Sequence, residues 1–232
     1  MGEVAIRVLG VSKFFGDFPA LREIDLDVRA GRVLALLGRN GAGKTTLLRI
    51  LAGLSKATSG EVRFRAAGRD PRDQRRHIGI IGHGTWIYDE LTADENVRFF
   101  CRLYGVPDPG EVAIAWLERV GLARFRHMRA GEYSRGMRQR LTIARAFMHE
   151  PDVLLLDEPW TALDDRAIEL LSALVREARE QGRSAVICTH QLSEAMSVAD
   201  DVALLRRGRI AYRGRVDDRL RLDPASLYGR VR

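Results

Sequence analysis

The sequence predicts an α/β fold: a mostly parallel sheet core, an antiparallel β subdomain beside it, and an inserted helical subdomain. Three observations carry that prediction. Short uninterrupted apolar runs at 33–37, 78–81, 153–156, 185–188 and 202–205 read as strands covered on both faces. Segments of helical periodicity alternate with them, as in a layered α/β arrangement. Between about 85 and 150 the strand pattern stops and helix follows helix.

Taken in order, residues 4–11 and 24–28 alternate apolar with polar side chains, and 61–65 does so again after the turn-like Thr58-Ser59-Gly60. These read as half-exposed antiparallel strands. Residues 45–54 and 167–181 have helical spacing; the second carries Leu170, Leu171, Leu174, Val175 and Ala178 on one face, with Gly182 past its end. Thr92 with Glu95 forms a capping-box pattern, and Gly105-Val106-Pro107 breaks the next helical run. The expected organisation is one domain, with 1–84 and 151–232 as the α/β core with its antiparallel β subdomain and 85–150 as the helical subdomain.

Composition narrows the function classes. The chain has 232 residues, 46% hydrophobic and 30% charged, enough to bury a sizeable core. Its apolar runs are only a few residues, whereas a helix needs about 20 to cross a bilayer, so the chain is not expected to form a pore. The first nine residues lack the apolar stretch of a secretory signal, which points to the cytosol. Cys101 and Cys188 stand apart without ligand spacing, so neither a zinc site nor a disulfide framework is expected. The net charge of +7 rests on 35 Arg against 3 Lys, clustered in 63–76, 119–140 and 206–232. Such clusters suit anionic headgroups or nucleic acid, and charge alone does not choose between them.

The chemistry starts at Gly38-Arg39-Asn40-Gly41-Ala42-Gly43-Lys44-Thr45-Thr46, which follows a buried strand and opens a helix. That is the P-loop pattern in its required context. Glycines let backbone N–H groups converge on phosphate oxygens, and the helix N-terminus adds partial positive charge. Lys44 neutralises the outer phosphates of ATP, and the Thr45 hydroxyl suits Mg²⁺. The run 153–156 ends in Asp157-Glu158-Pro159, which places two carboxylates at the carboxyl end of a strand, where open α/β sheets bind ligands. Asp157 is the expected Mg²⁺ ligand, directly or through water. Glu158, one residue further on, is the expected general base for the attacking water. By themselves the two acids could equally be solvated; the P-loop, with Lys44 113 residues before Asp157, argues for chemistry.

These residues resemble the ABC transporter ATPases over essentially the whole chain. Tyr133-Ser134-Arg135-Gly136-Met137 precedes a helix expected over 137–149, with Ser134 23 residues before Asp157. It is similar to the family's signature motif, so Ser134 and Gly136 are expected to cap a second nucleotide. The resemblance implies that this nucleotide belongs to another subunit, giving a nucleotide-sandwich dimer, either a homodimer or one with a related ATPase. Thr161-Ala162-Leu163-Asp164 resembles the dimer-contacting loop, which puts Asp164 at the nucleotide. His190, 32 residues beyond Glu158, resembles the histidine that senses the γ-phosphate, and Phe15 resembles the aromatic that stacks on adenine. Two positions depart from the family pattern. Arg135 replaces the first signature glycine, where a positive φ is disfavoured, and His83 stands where a glutamine is usual.

The text 78–83, 88–92 and 95–100 resembles ATPases of haem export for cytochrome c maturation, and similar text occurs in multidrug and antibiotic exporters. The resemblance therefore implies an export-type motor, peripheral at the cytoplasmic face of the inner membrane, working with separately encoded integral membrane subunits. The short tail, ending at Arg232, is expected to leave no room for the long carboxyl-terminal regulatory domain of some importers. A soluble ABC ATPase acting on nucleic acid or ribosomes is the competing class. Such proteins typically fuse two cassettes or add a coiled coil, neither of which is seen here, so direct nucleic-acid binding is not expected. Trp86 and Tyr88, where the chain enters the helical subdomain, are the candidate anchors for a membrane-subunit helix; a place inside the subdomain core is the alternative.

Overall fold

The computed structural model describes residues 3–65, 75–82 and 84–229. β1 (Val4–Phe15), β2 (Phe18–Arg29) and β4 (Ser59–Phe64) form an antiparallel sheet in the order β2-β1-β4. β3 (Val33–Leu37), β5 (Ile78–Ile81), β6 (Val153–Asp157), β7 (Ser184–Thr189), β8 (Asp201–Arg206) and β9 (Arg209–Arg215) form the second sheet, ordered β5-β6-β7-β3-β8-β9. Its pairings are parallel except the last, the β8–β9 hairpin.

β3, β6 and β7 are buried at every position, and the two-residue period of a strand divides them between two cores. Leu34, Leu36, Leu155, Val186 and Cys188 face the first core. They pack there with Leu47, Leu48 and Leu51 of α1 (Lys44–Leu51) and with Ile6, Val8, Ile24 and Leu26 of the antiparallel sheet. Val33, Ala35, Leu37, Leu154, Leu156 and Ile187 face the second. Against them lie α2 (Ala93–Tyr104), α3 (Pro109–Arg119), α4 (Arg135–Phe147) and α5 (Asp165–Glu180). Each fully buried leucine contributes about 1.5–3 kcal/mol. The helices between 85 and 150 therefore share one core with the sheet. α6 (Leu192–Val198), α7 (Asp218–Leu222) and α8 (Ser226–Gly229) complete the chain, the last two inserting Leu220 and Leu227.

Element boundaries differ from the expected ones where a cap decides them. The helix expected over 137–149 runs from Arg135 to Phe147, because Ser134 is its N-cap and its Oγ accepts the Met137 N–H at 3.3 Å. Arg135 is thus the first helical residue and has no positive φ, so the conflict expected from the lost glycine does not arise. α5 starts at Asp165, ahead of the expected 167, because the Asp164 carboxylate accepts the Ala167 N–H at 2.8 Å. The capping box is present: Thr92 N–H donates to Glu95 Oε2 at 2.8 Å, and Glu95 N–H to Thr92 Oγ1 at 3.2 Å. β9 and the three short helices after β7 are additions to the expected elements, although β9 shows the strict alternation of a half-covered strand.

Candidate functional site

β3 ends at Leu37, and the turn after it leads straight into α1. Gly43 is the N-cap, with φ 108°; a Cβ there would come within 2.7 Å of the Ala20 carbonyl oxygen, so the turn admits only glycine. Gly38 lies behind the loop, and its carbonyl accepts the Lys44 ammonium at 2.7 Å. Lys44 is 6% exposed. The first turn of α1 contains no acid, so its N–H groups and Lys44 together present positive potential.

Two strands away, β6 ends at Asp157, which is 4% exposed. Glu158 follows with φ 48°, a left-handed conformation that costs a glutamate about 1–3 kcal/mol. Its N–H donates to the Cys188 carbonyl on β7 at 2.7 Å, and this bond ties the strained residue to the neighbouring strand. On the side chain, Oε2 lies 2.9 Å from Thr189 Oγ1 and 2.9 Å from His190 Nδ1, while Oε1 lies 4.0 Å from Lys44 Nζ. Cys188 beneath is wholly buried; burial, then the Asp157 charge, pushes its thiol well above its ordinary pKa, so it offers no nucleophile.

These groups meet in a cleft of about 720 Å³, a size that suits a small ligand. Asn40, Gly41, Ala42, Gly43, Lys44, Thr45 and Thr46 form one wall; Asp157, Glu158, Thr161 and His190 form another; Phe15 and Phe18 stand at the edge. Thr45 and Asp157 supply hard oxygen donors to the same space, a donor set that fits Mg²⁺ completed by phosphate and water.

Besides Gly38, three expected site residues stand outside the lining of this cleft. Ser134 and Gly136 do not line the cleft; the helix they open reaches it through Arg135, Arg138 and Gln139. Asp164 is also outside, because its carboxylate caps α5 and pairs with Arg140 at 2.8 Å, interactions that hold its pKa below the usual carboxylate range. His83 lies outside the described residues. Sequence reasoning passed over Thr189, Gln139 and Phe18. Gln139 donates to the Pro159 carbonyl at 3.0 Å, which joins the signature helix to the acidic strand end. The adjacency of Thr189 to His190, and of Phe18 to the turn after Phe15, were the available signals.

Trp86 is neither core nor free. Its indole lies over Gly82, where a Cβ would come within 2.9 Å of the ring, and the Arg145 guanidinium sits 5.4 Å from the ring centroid. The residue is nevertheless 42% exposed, and Tyr88 is 47% exposed in a T-shaped contact with Phe99. Arg145 is itself buried and donates to the Ile80 carbonyl at 2.6 Å, so strand, aromatic segment and α4 meet at one side chain.

A phosphate loop on a parallel sheet, a cation beneath it and an acid pair at a strand end two strands away define a P-loop ATPase. The model of the family described as ABC transporter matches residues 21–161, more than half of the chain; the chain belongs to that family and is an ATP-binding, ATP-hydrolysing subunit. It is 34% identical to the ABC transporter ATP-binding protein NatA of Bacillus subtilis, over 85% of this chain and 82% of that protein. It is 36% identical to a sulfate/thiosulfate import ATP-binding protein, CysA 2 of Rhizobium meliloti, over 92% of this chain but only 60% of the relative's length. A solved ATP-binding subunit of an ABC transporter superposes with a TM-score of 0.88 at 28% identity, covering 98% and 99% of the two chains. The cassette MJ0796, solved as a dimer in a post-hydrolysis state with ADP and Pi, superposes at 0.82 with 27% identity, covering 91% of this chain and 99% of that one.

Proposed function

We propose that this chain is the ATPase motor of an ABC membrane transporter whose membrane-spanning subunits are separate chains. The observation that carries the reading is the cleft that gathers Lys44, Thr45, Asp157, Glu158 and His190 at the ends of adjacent strands. In it Lys44 neutralises the outer phosphates, Thr45 and Asp157 hold Mg²⁺, Phe15 faces the adenine, and Glu158 accepts the proton of the attacking water. Bound Mg²⁺ would offset phosphate charge. Ser134, Gly136 and Asp164, which stand outside the cleft, are assigned to the nucleotide of a second subunit in a sandwich dimer. The dimeric state of the related MJ0796 cassette supports that assignment.

Peripheral attachment at the cytoplasmic membrane face fits the described residues, among which no helix is long and apolar enough to cross a membrane. The exposed aromatic patch Trp86, Tyr88 and Phe99 with Leu103 is proposed to receive the membrane subunit. An export-type system is favoured by the 78–100 segment; haem as cargo rests on that segment alone. An import system is the second reading, favoured by identity to sulfate/thiosulfate import ATPases. The test has two parts. Co-purification from membranes should recover an integral membrane subunit, and recovery of ribosomes instead would overturn the reading. Substrate accumulation in inside-out against right-side-out vesicles of that complex then assigns direction.

A further inference from the structure

The hydrogen bonds around Thr189 admit a single proton arrangement. Gln191 N–H donates to Thr189 Oγ1 at 3.0 Å, and an ionised carboxylate only accepts, so the hydroxyl proton goes to Glu158 Oε2 at 2.9 Å. The same oxygen receives the His190 backbone N–H at 3.3 Å and the His190 ring through Nδ1 at 2.9 Å. Two donors, the Thr189 hydroxyl and the His190 N–H, therefore converge on Oε2 with the His190 ring nitrogen beside them, and Oε1 is left as the oxygen nearest Lys44, at 4.0 Å. Thr189 is 0% exposed and pairs with Leu37 at the end of the sheet, so its backbone is fixed by the strand while its hydroxyl bridges Gln191 N–H and Glu158.

We propose that Thr189 is the positioning residue of the general base: its hydroxyl clamps Oε2 of Glu158 so that Oε1 meets the attacking water. This deepens the assignment of Glu158 as base and rests on it. In the step served, the water oxygen bonds to the γ-phosphorus as the bond from that phosphorus to the β–γ bridging oxygen breaks. The water proton passes to Oε1, and ADP and phosphate leave. A glutamate side chain turns about several bonds, and a misplacement of about 1 Å costs on the order of 10²-fold in rate. Holding one oxygen places the other.

The test is steady-state ATP hydrolysis and thermal melting of the full chain, with Thr189→Val, Thr189→Ser and Glu158→Gln in parallel. Thr189→Val keeps shape and removes the donor, so kcat should fall about 10- to 100-fold with KM for ATP within about twofold. Thr189→Ser should restore kcat. If the valine variant does not fold, Thr189→Cys, whose thiol is a weak donor, carries the same comparison. Wild-type kcat in Thr189→Val, or a serine variant as slow as the valine one, overturns the proposal. So does a lowered melting temperature with unchanged kcat per folded molecule, which is the pattern of a merely structural role. The Glu158→Gln arm separates the two readings: if it still hydrolyses ATP, the base assignment fails; if it is inactive while Thr189→Val is fast, only the clamp fails.

Discussion

On the P-loop side of the cleft the working groups are backed by sheet: Lys44 and Asp157 are almost fully buried, and Glu158 is bonded to β7 through both main chain and side chain. On the opposite side, Ser134 and Arg135 are exposed at the first turn of α4, whose body is buried through Leu141, Ile143 and Phe147. That end of the helix is held by two surface links, Arg138 to Asp89 at 2.6 Å and Arg140 to Asp164 at 2.8 Å, beside the part-buried Gln139 bond to the Pro159 carbonyl at 3.0 Å. Exposed ion pairs of this kind are screened by solvent and contribute little to stability. The difference separates groups fixed within the sheet from a first turn that stands exposed at the surface on a buried helix. That suits one surface that does chemistry and another that meets a second subunit.

The largest expected effect falls on the rigid side. Glu158→Gln keeps size and hydrogen bonding but cannot take the water proton, so kcat should drop about 10²- to 10⁴-fold while ATP binding persists. Light scattering with Mg-ATP should then show a trapped dimer; a monomer that still turns over would break the comparison on both sides. Next, Lys44→Ala leaves phosphate charge uncompensated in a mostly buried site. ATP affinity, read by calorimetry, should fall at least about tenfold, since a charge-assisted hydrogen bond is worth about 1.5–3 kcal/mol.

Trp86→Ala probes the segment that joins the two sides. With the residue 42% exposed, assembly with the membrane subunit should weaken by roughly 2 kcal/mol, while basal ATPase and the melting temperature change little. A large melting loss with intact assembly would instead assign the indole to the core and remove the aromatic patch as a docking surface.

The smallest effect concerns the far end of α4. His149 stacks on Tyr104 at 3.9 Å, and burial pushes its pKa down to about 4, so it is neutral in the fold. Its unfolded value is near 6.5, hence the unfolded chain binds the extra proton between those two values. The stabilisation is complete above about pH 6.5 and is lost as pH falls toward 4. Chemical denaturation at pH 6.5 and 5 should show a loss of about 1–2 kcal/mol that His149→Phe removes. An identical slope in the variant would refute that account of the far end.

The parts of the site that are legible in the sequence are local. Glycine spacing, a buried run before Gly38 and another before Asp157 each reside in a few consecutive residues, and the two-residue period assigns their faces. Asp164 shows where such reading stops. Its motif places it at the nucleotide, yet within one chain its carboxylate is taken by the Ala167 N–H and by Arg140. Neither partner is implied by the loop's own text.

From the sequence alone came the strand-and-helix order of the core, the phosphate loop and the acidic pair, because periodicity and motif are properties of neighbouring residues; His190 entered through the family resemblance. Only the tertiary structure decided that α4 begins at Arg135, that Arg145 links Ile80 to Trp86, and that Oε2 of Glu158 is the clamped oxygen. Those outcomes depend on hydrogen-bond partners and burial that arise when strands far apart in the chain are brought side by side. Thr189 and Glu158, 31 residues apart, touch because β6 and β7 pair in parallel.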